Sequence, residues 1–116
     1  MSTNLIILFG SQVSGHTNTQ SDVDIAVLTN HTLSLDEKLE LSDQLANQMQ
    51  VSSDLIDIVD LSVASPLLQY SISQTGQLIS GKKEDFLRFR VLAWKRYQDT
   101  AKFRQQRKKA LYNSNL

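Results

Sequence analysis

The chain has 116 residues, 41% of them hydrophobic, and equal numbers of acids and bases; that is the length of one domain, with enough apolar side chains for a core. It has no cysteine, which excludes a disulfide framework and any thiolate metal site. No apolar run approaches the roughly 20 residues of a membrane span, and no basic segment precedes the first apolar run as in a secretory leader, so a cytoplasmic protein of bacterial type is expected. Zero net charge hides a division. Residues 1–61 carry nine acids and one base, Lys38, whereas residues 62–116 carry three acids and eleven bases. Such asymmetry points to an interaction role for one end.

Leu5 to Phe9 is apolar and short, and turn residues follow it, so it reads as a buried strand. Gly10-Ser11 ends it. Glycine there lets backbone amides approach a phosphate, and the serine adds a hydroxyl donor. Ser11 to Gly15 is expected to make one helical turn, and His16 to Gln20 a polar loop in which His16 is more simply exposed than bound to substrate. After a gap of ten residues following Ser11 comes Asp22-Val23-Asp24, and Val23 to Leu28 reads as a second strand. Residues two apart in a strand share a face, so Asp22 and Asp24 project together while Val23, Ile25 and Val27 face the other way. Carboxylates this close repel, and one pKa rises unless a cation or water relieves them. Mg2+ favours one or two carboxylates plus phosphate oxygens, so one end of the motif suits a phosphate and the other its metal. Each half alone is an ordinary turn or strand entry. Four fixed positions, each with a usage of roughly 5–7%, make the joint pattern rare by chance.

Asn30 to Thr32 is a turn in which His31 needs no function. Ser34-Leu35-Asp36-Glu37 fits a capping box. Leu35, Leu39, Leu45 and Met49 follow at helical spacing, widened by Leu41 and Ala46, and predict a helix covering one sheet face, with Glu40 and Asp43 on its solvated side. Leu55 to Leu61 predicts a third strand. Asp57 within it is costly to bury unpaired; it either faces solvent or joins Asp22 and Asp24. Asp54 and Asp60 are the alternatives for that part, though Asp60 lies on the other face. Ser65 caps a helix with Pro66 at its first position, which stops at Gly76. Gln77 to Ser80 is a short strand. From about Lys82 to Ala110 one long helix is predicted, with Phe86, Phe89, Ala93, Tyr97 and Ala101 on its apolar face, Leu92 and Trp94 beside it, and Trp94 and Tyr97 as core. The division expected is 1–81 as the core, 82–111 as the long helix of the same domain, and 112–116 as a frayed tail.

Gly10-Ser11, the spacer, Asp22-x-Asp24 and the phrase Ser21-Asp22-Val23-Asp24-Ile25-Ala26-Val27 closely resemble the DNA polymerase beta-type nucleotidyltransferases, and the length resembles their minimal branch, the MNT proteins. The resemblance covers about residues 5–80. Where the branch commonly has alanine and arginine, this chain has Val13 and Ser14, without that possible phosphate contact. The branch also carries a helix before the first strand, for which little room precedes Leu5; the expectation is either a truncated start or a core completed elsewhere, by a partner. The resemblance implies an α+β fold, a small mixed sheet with packed helices and a long C-terminal helix. It implies that Asp22 and Asp24 hold Mg2+, as two ions about 3.5–4 Å apart. The resemblance in Asp57-Ile58-Val59-Asp60-Leu61 and Ala64-Ser65-Pro66-Leu67-Leu68 implies Asp57 as the third metal-binding acid and proton acceptor. Gly10 and Ser11 bind the nucleotide phosphates. MNT proteins are often encoded beside HEPN-domain toxins, so the reaction that the resemblance implies is AMP transfer from ATP to a tyrosine of a HEPN toxin, itself implied to be an RNase. Rival functions are an antitoxin that acts by binding alone and an aminoglycoside-type nucleotidyltransferase, for which an acceptor domain is missing. Direct nucleic-acid binding is not expected, because the acidic half balances the basic helix.

Overall fold

The computed structural model describes residues 3–10 and 22–114. In chain order the elements are β1 (Thr3–Phe9), β2 (Val23–Thr29), α1 (Leu35–Met49), a 3-10 turn (Ser53–Leu55), β3 (Ile56–Asp60), α2 (Pro66–Thr75), β4 (Gln77–Gly81), α3 (Lys83–Asp99) and α4 (Ala101–Ser114). The strands form one mixed sheet in the order β3-β2-β1-β4. β1 runs antiparallel to both β2 and β4, and β2 runs parallel to β3. Parallel neighbours need a crossover, and α1 supplies it.

Side-chain alternation gives the sheet two buried faces. Val23, Ile25 and Val27 pack with Leu41, Leu45 and Ala46 of α1 and with Ile56. Leu5, Ile7 and Ala26 pack on the opposite face with Ile72 of α2 and Phe89 and Ala93 of α3. Ile7, Ile25 and Leu5 are fully buried, each contributing about 1.5–3 kcal/mol relative to exposure.

The capping box of α1 forms as expected: the Glu37 amide donates to Ser34 Oγ at 3.1 Å and the Ser34 amide donates to Glu37 Oε1 at 3.0 Å. The buried face of α1 differs from the expected stripe. Leu41, Leu45 and Ala46 are buried, but Leu35 is 70% and Leu39 56% exposed, and Met49 is also on the surface. Two leucine sets at helical spacing share this helix, and only the one that meets Ile25 and Val27 enters the core. At the entry to α1, buried Asp60 accepts from the Leu33 amide at 2.8 Å, the Ser62 amide at 3.0 Å and the Ser62 hydroxyl at 2.7 Å. Burial raises the pKa of Asp60, yet these donors and Lys38 together outweigh it and hold the pKa below the ordinary carboxylate value.

Ser65 and Pro66 start α2 as expected, with the Leu68 amide donating to Ser65 Oγ at 3.2 Å. Gly76 ends it. A Cβ there would run into Ile7 Cγ2 and the Ile72 carbonyl, so glycine permits the close approach of α2 to β1. α2 and α3 are joined through Gln69: its amide donates to the Leu61 carbonyl at 2.7 Å and its oxygen accepts from Arg96 at 3.1 Å.

The long C-terminal helix is bent. Thr100 divides it into α3 and α4, with its hydroxyl donating back to the Tyr97 carbonyl at 2.8 Å, a contact that competes with helical hydrogen bonding. The Arg104 guanidinium donates to the same carbonyl at 2.9 Å and lies 3.7 Å from the centre of the Tyr97 ring, which stacks on Tyr70 at 4.3 Å. Phe89 and Ala93 are buried as expected, but Trp94 is 52% exposed and is not core. It follows Ala93 by one residue, and one step turns a helical side chain by about 100°, out of the core.

Candidate active site

Gly10 closes β1 with φ +80°, in the left-handed region where glycine alone is unstrained. A Cβ at Gly10 would collide with the Asp24 carboxylate. Two functions of glycine therefore meet at one residue: it turns the chain and leaves room for a carboxylate.

Asp24 is the second residue of β2. Its register partner on β1 is Phe9, and its partner on β3 is Asp57. Val23 and Ile25 point under α1, as do Ile56 and Ile58, so Asp24 and Asp57 both face the side of the sheet that carries α2 and α3. Asp24 is half-buried and Asp57 exposed. Asp22 is exposed and lies immediately before β2 rather than within it. Burial, then the charge of Asp57, then that of Asp22 push the pKa of Asp24 above the ordinary carboxylate value.

The structure separates the three aspartates considered beside Asp22 and Asp24. Asp57 faces Asp24 across the parallel pair. Asp54 is exposed in the 3-10 turn. Asp60 is committed to the Leu33 and Ser62 donors. Among the described residues no group of three or more His, Cys, Asp or Glu closes into a metal cluster; the carboxylates brought side by side by the register are Asp24 and Asp57. Ser11, the expected turn from Ser11 to Gly15, and His16 lie outside the described residues. Sequence reading placed Asp57 beside Asp22 and Asp24 but did not give its register opposite Asp24, and it missed the close approach of Gly10 to Asp24. The crossover helix between β2 and β3 carried a signal for parallel neighbours, but the register comes from long-range packing.

The chemistry available here is that of hard oxygen donors at the mouth of a glycine turn. Two adjacent carboxylates that resist joint ionisation are relieved by a divalent cation, and Mg2+ uses such a pair together with phosphate oxygens. The family Polymerase beta, Nucleotidyltransferase matches residues 2–85. The chain is a member of the polymerase beta nucleotidyltransferase family. The match spans the whole sheet, α1 and α2, and ends in the first turn of α3. This nucleotidyltransferase is 38% identical over 101 residues to the protein adenylyltransferase MntA of Shewanella oneidensis, covering 87% of this chain and 70% of that one. Its structure is similar to one of a toxin–antitoxin with AMP-PNP, with TM-score 0.81 and 32% identity over 97% of this chain and 88% of the other. It is also similar to a chain of the tri-AMPylated Shewanella oneidensis HEPN toxin in complex with MNT antitoxin, with TM-score 0.72 and 31% identity over 95% and 83% of the two chains. Among the described residues no helix is long and apolar enough to cross a membrane.

Proposed function

We propose that this nucleotidyltransferase is a cytoplasmic antitoxin that transfers AMP from ATP to a tyrosine of a cognate HEPN toxin and thereby neutralises it. The observation that carries the reading is the pairing of Asp24 with Asp57 beside Gly10, in a chain similar to MntA and to an antitoxin seen with a tri-AMPylated HEPN toxin. Asp22, Asp24 and Asp57 would hold Mg2+; the donor set fits, because Asp24, whose pKa is raised by burial and then by the charges of Asp57 and Asp22, stands beside Asp57, and a divalent cation relieves such a pair. When bound, Mg2+ neutralises triphosphate charge and stabilises the charge that develops in transfer. Gly10 and Ser11 hold the phosphates. The tyrosine oxygen forms a bond to the alpha-phosphorus, the bond between that phosphorus and the bridging oxygen breaks, pyrophosphate leaves with the electron pair, and Asp57 takes the tyrosine proton. Most of the acceleration comes from positioning and fixed charge.

The test is the intact mass of the purified HEPN toxin after incubation with the chain, ATP and Mg2+. Wild type adds one or more AMP units. Asp57→Asn keeps toxin binding and slows the addition by about 100-fold or more. Silencing of the toxin with no added mass means that the chain acts by binding alone. Normal transfer by Asp57→Asn removes Asp57 from the role assigned to it.

A further inference from the structure

The outer face of α3 is apolar where a surface helix is ordinarily polar. Leu87, Val91 and Trp94 recur at positions i, i+4 and i+7 and are 53%, 64% and 52% exposed; that spacing makes one stripe. With Gln74 of α2 and Arg90 they line a shallow groove of about 530 Å3. At about 100° per residue, Lys83 and Arg90 fall on one flank of the stripe and Arg88 and Lys95 on the other. Glu84, in the first turn, is the acid nearest to it, and Asp85 lies 3.6 Å from Arg88, one of the flanking bases, which leaves Lys83, Arg90 and Lys95 as the bases not paired with it. An apolar stripe with bases on both sides selects an apolar stripe with acids on both sides.

We propose that this face is the surface on which the partner toxin docks, through an amphipathic helix whose apolar residues are flanked by Asp and Glu; the proposal rests on the functional reading above. Two further observations favour that occupant. Asp24 and Asp57 face the same side of the sheet as α2 and α3, so a partner seated on α3 approaches from the side where its tyrosine is needed. The chain's own acid-flanked stripe, Leu35 and Leu39 with Asp36 and Glu40, is exposed on α1, on the opposite side of the sheet. A second copy that used it would make a head-to-tail contact with both ends open, which propagates into chains unless the rotation happens to close a ring. Tryptophan and arginine, here Trp94 and Arg90, are also the residue types that dominate binding energy at protein interfaces.

The experiment uses the full chain and its purified cognate HEPN toxin, with affinity measured by calorimetry. Trp94→Asp and Val91→Asp change exposed side chains, so the thermal melt and Mg·ATP affinity of each remain those of wild type. Each weakens toxin binding by at least about 30-fold, whereas Leu39→Asp on α1 changes it less than threefold. Arg90→Glu/Lys95→Glu weakens binding and flattens its dependence on salt, as loss of screened charge pairs requires. Wild-type affinity in Trp94→Asp and Val91→Asp overturns the proposal. So does toxin binding that is lost in Leu39→Asp instead. If the α3 variants abolish self-association seen by light scattering while toxin affinity stands, a second copy occupies the face and the proposal falls. If wild type binds the toxin through α3 but adds no AMP, the docking surface stands and the transfer reading fails.

Discussion

Asp24 is where fold and chemistry conflict. Half-buried and beside Asp57, it is held above its ordinary pKa, so its ionised form destabilises the metal-free protein. A raised carboxylate pKa means that the native state holds its proton more tightly than the unfolded chain does. The penalty is present at neutral pH and disappears as the pH falls through the raised native value to the ordinary one. Asp24→Asn is therefore expected to melt at a higher temperature than wild type at pH 7 in the presence of a chelator, and the gap should close on acidification. Melts in EDTA from pH 7 down to pH 4 measure it, and a gap that is absent at pH 7 or widens towards acid contradicts the assignment. Asp60 has the opposite sign: its stabilisation is present above the ordinary carboxylate pKa and is lost as the pH falls through its depressed native value. The period of two along β3 was enough to put Asp57 and Asp60 on different faces from the sequence. What Asp60 does instead, accepting from Leu33 and Ser62, depends on a loop meeting a strand end and left no local pattern to read.

At the scale of the element, α1 shows how far periodicity carries. Leu45→Ala removes a side chain packed on the sheet and is expected to cost about 2–5 kcal/mol. Leu39→Ala, at an exposed position of the same helix, should stay within about 0.5 kcal/mol. Urea unfolding of the two variants decides it, and equal costs would mean that α1 packs differently. The helix itself was legible, because the Ser34–Glu37 capping box and the Ser65-Pro66 start of α2 are chemical signals contained within a few residues. Its buried face was legible only in part: Leu41, Leu45 and Ala46 were in the expected stripe and are buried, but Leu35, Leu39 and Met49 keep an equally good helical period, and only Ile25 and Val27 decide between them. The bend at Thr100 was hidden for a related reason. No glycine or proline marks it, and the contacts at the bend come from Thr100 and Arg104, two residues that are ordinary in a straight helix.

At the scale of the whole molecule, the proposed activity couples ligand to stability. On that proposal Mg·ATP would bind only the folded arrangement of the Gly10 turn and the carboxylates, so at a hundredfold excess over its dissociation constant it should stabilise the chain by about 2.7 kcal/mol. A thermal-shift titration with Mg·ATP should show the rise, and Asp22→Asn/Asp24→Asn should abolish it; a shift that survives without both carboxylates would place the nucleotide elsewhere. The α1 crossover has a consequence of another kind. Gly10 and Asp24 are translated early, but Asp57 reaches Asp24 only when β3 has emerged and paired in parallel with β2, a contact between distant parts of the chain whose loop closure slows its formation. The stripe on α3 leaves the ribosome later still. Vectorial synthesis thus imposes an order on a growing chain: β3 can bring Asp57 beside Asp24 before α3 emerges, but Phe89 and Ala93 of α3 complete the core on that face, so the proposed nucleotide site is set firmly only when the proposed docking helix is also in place.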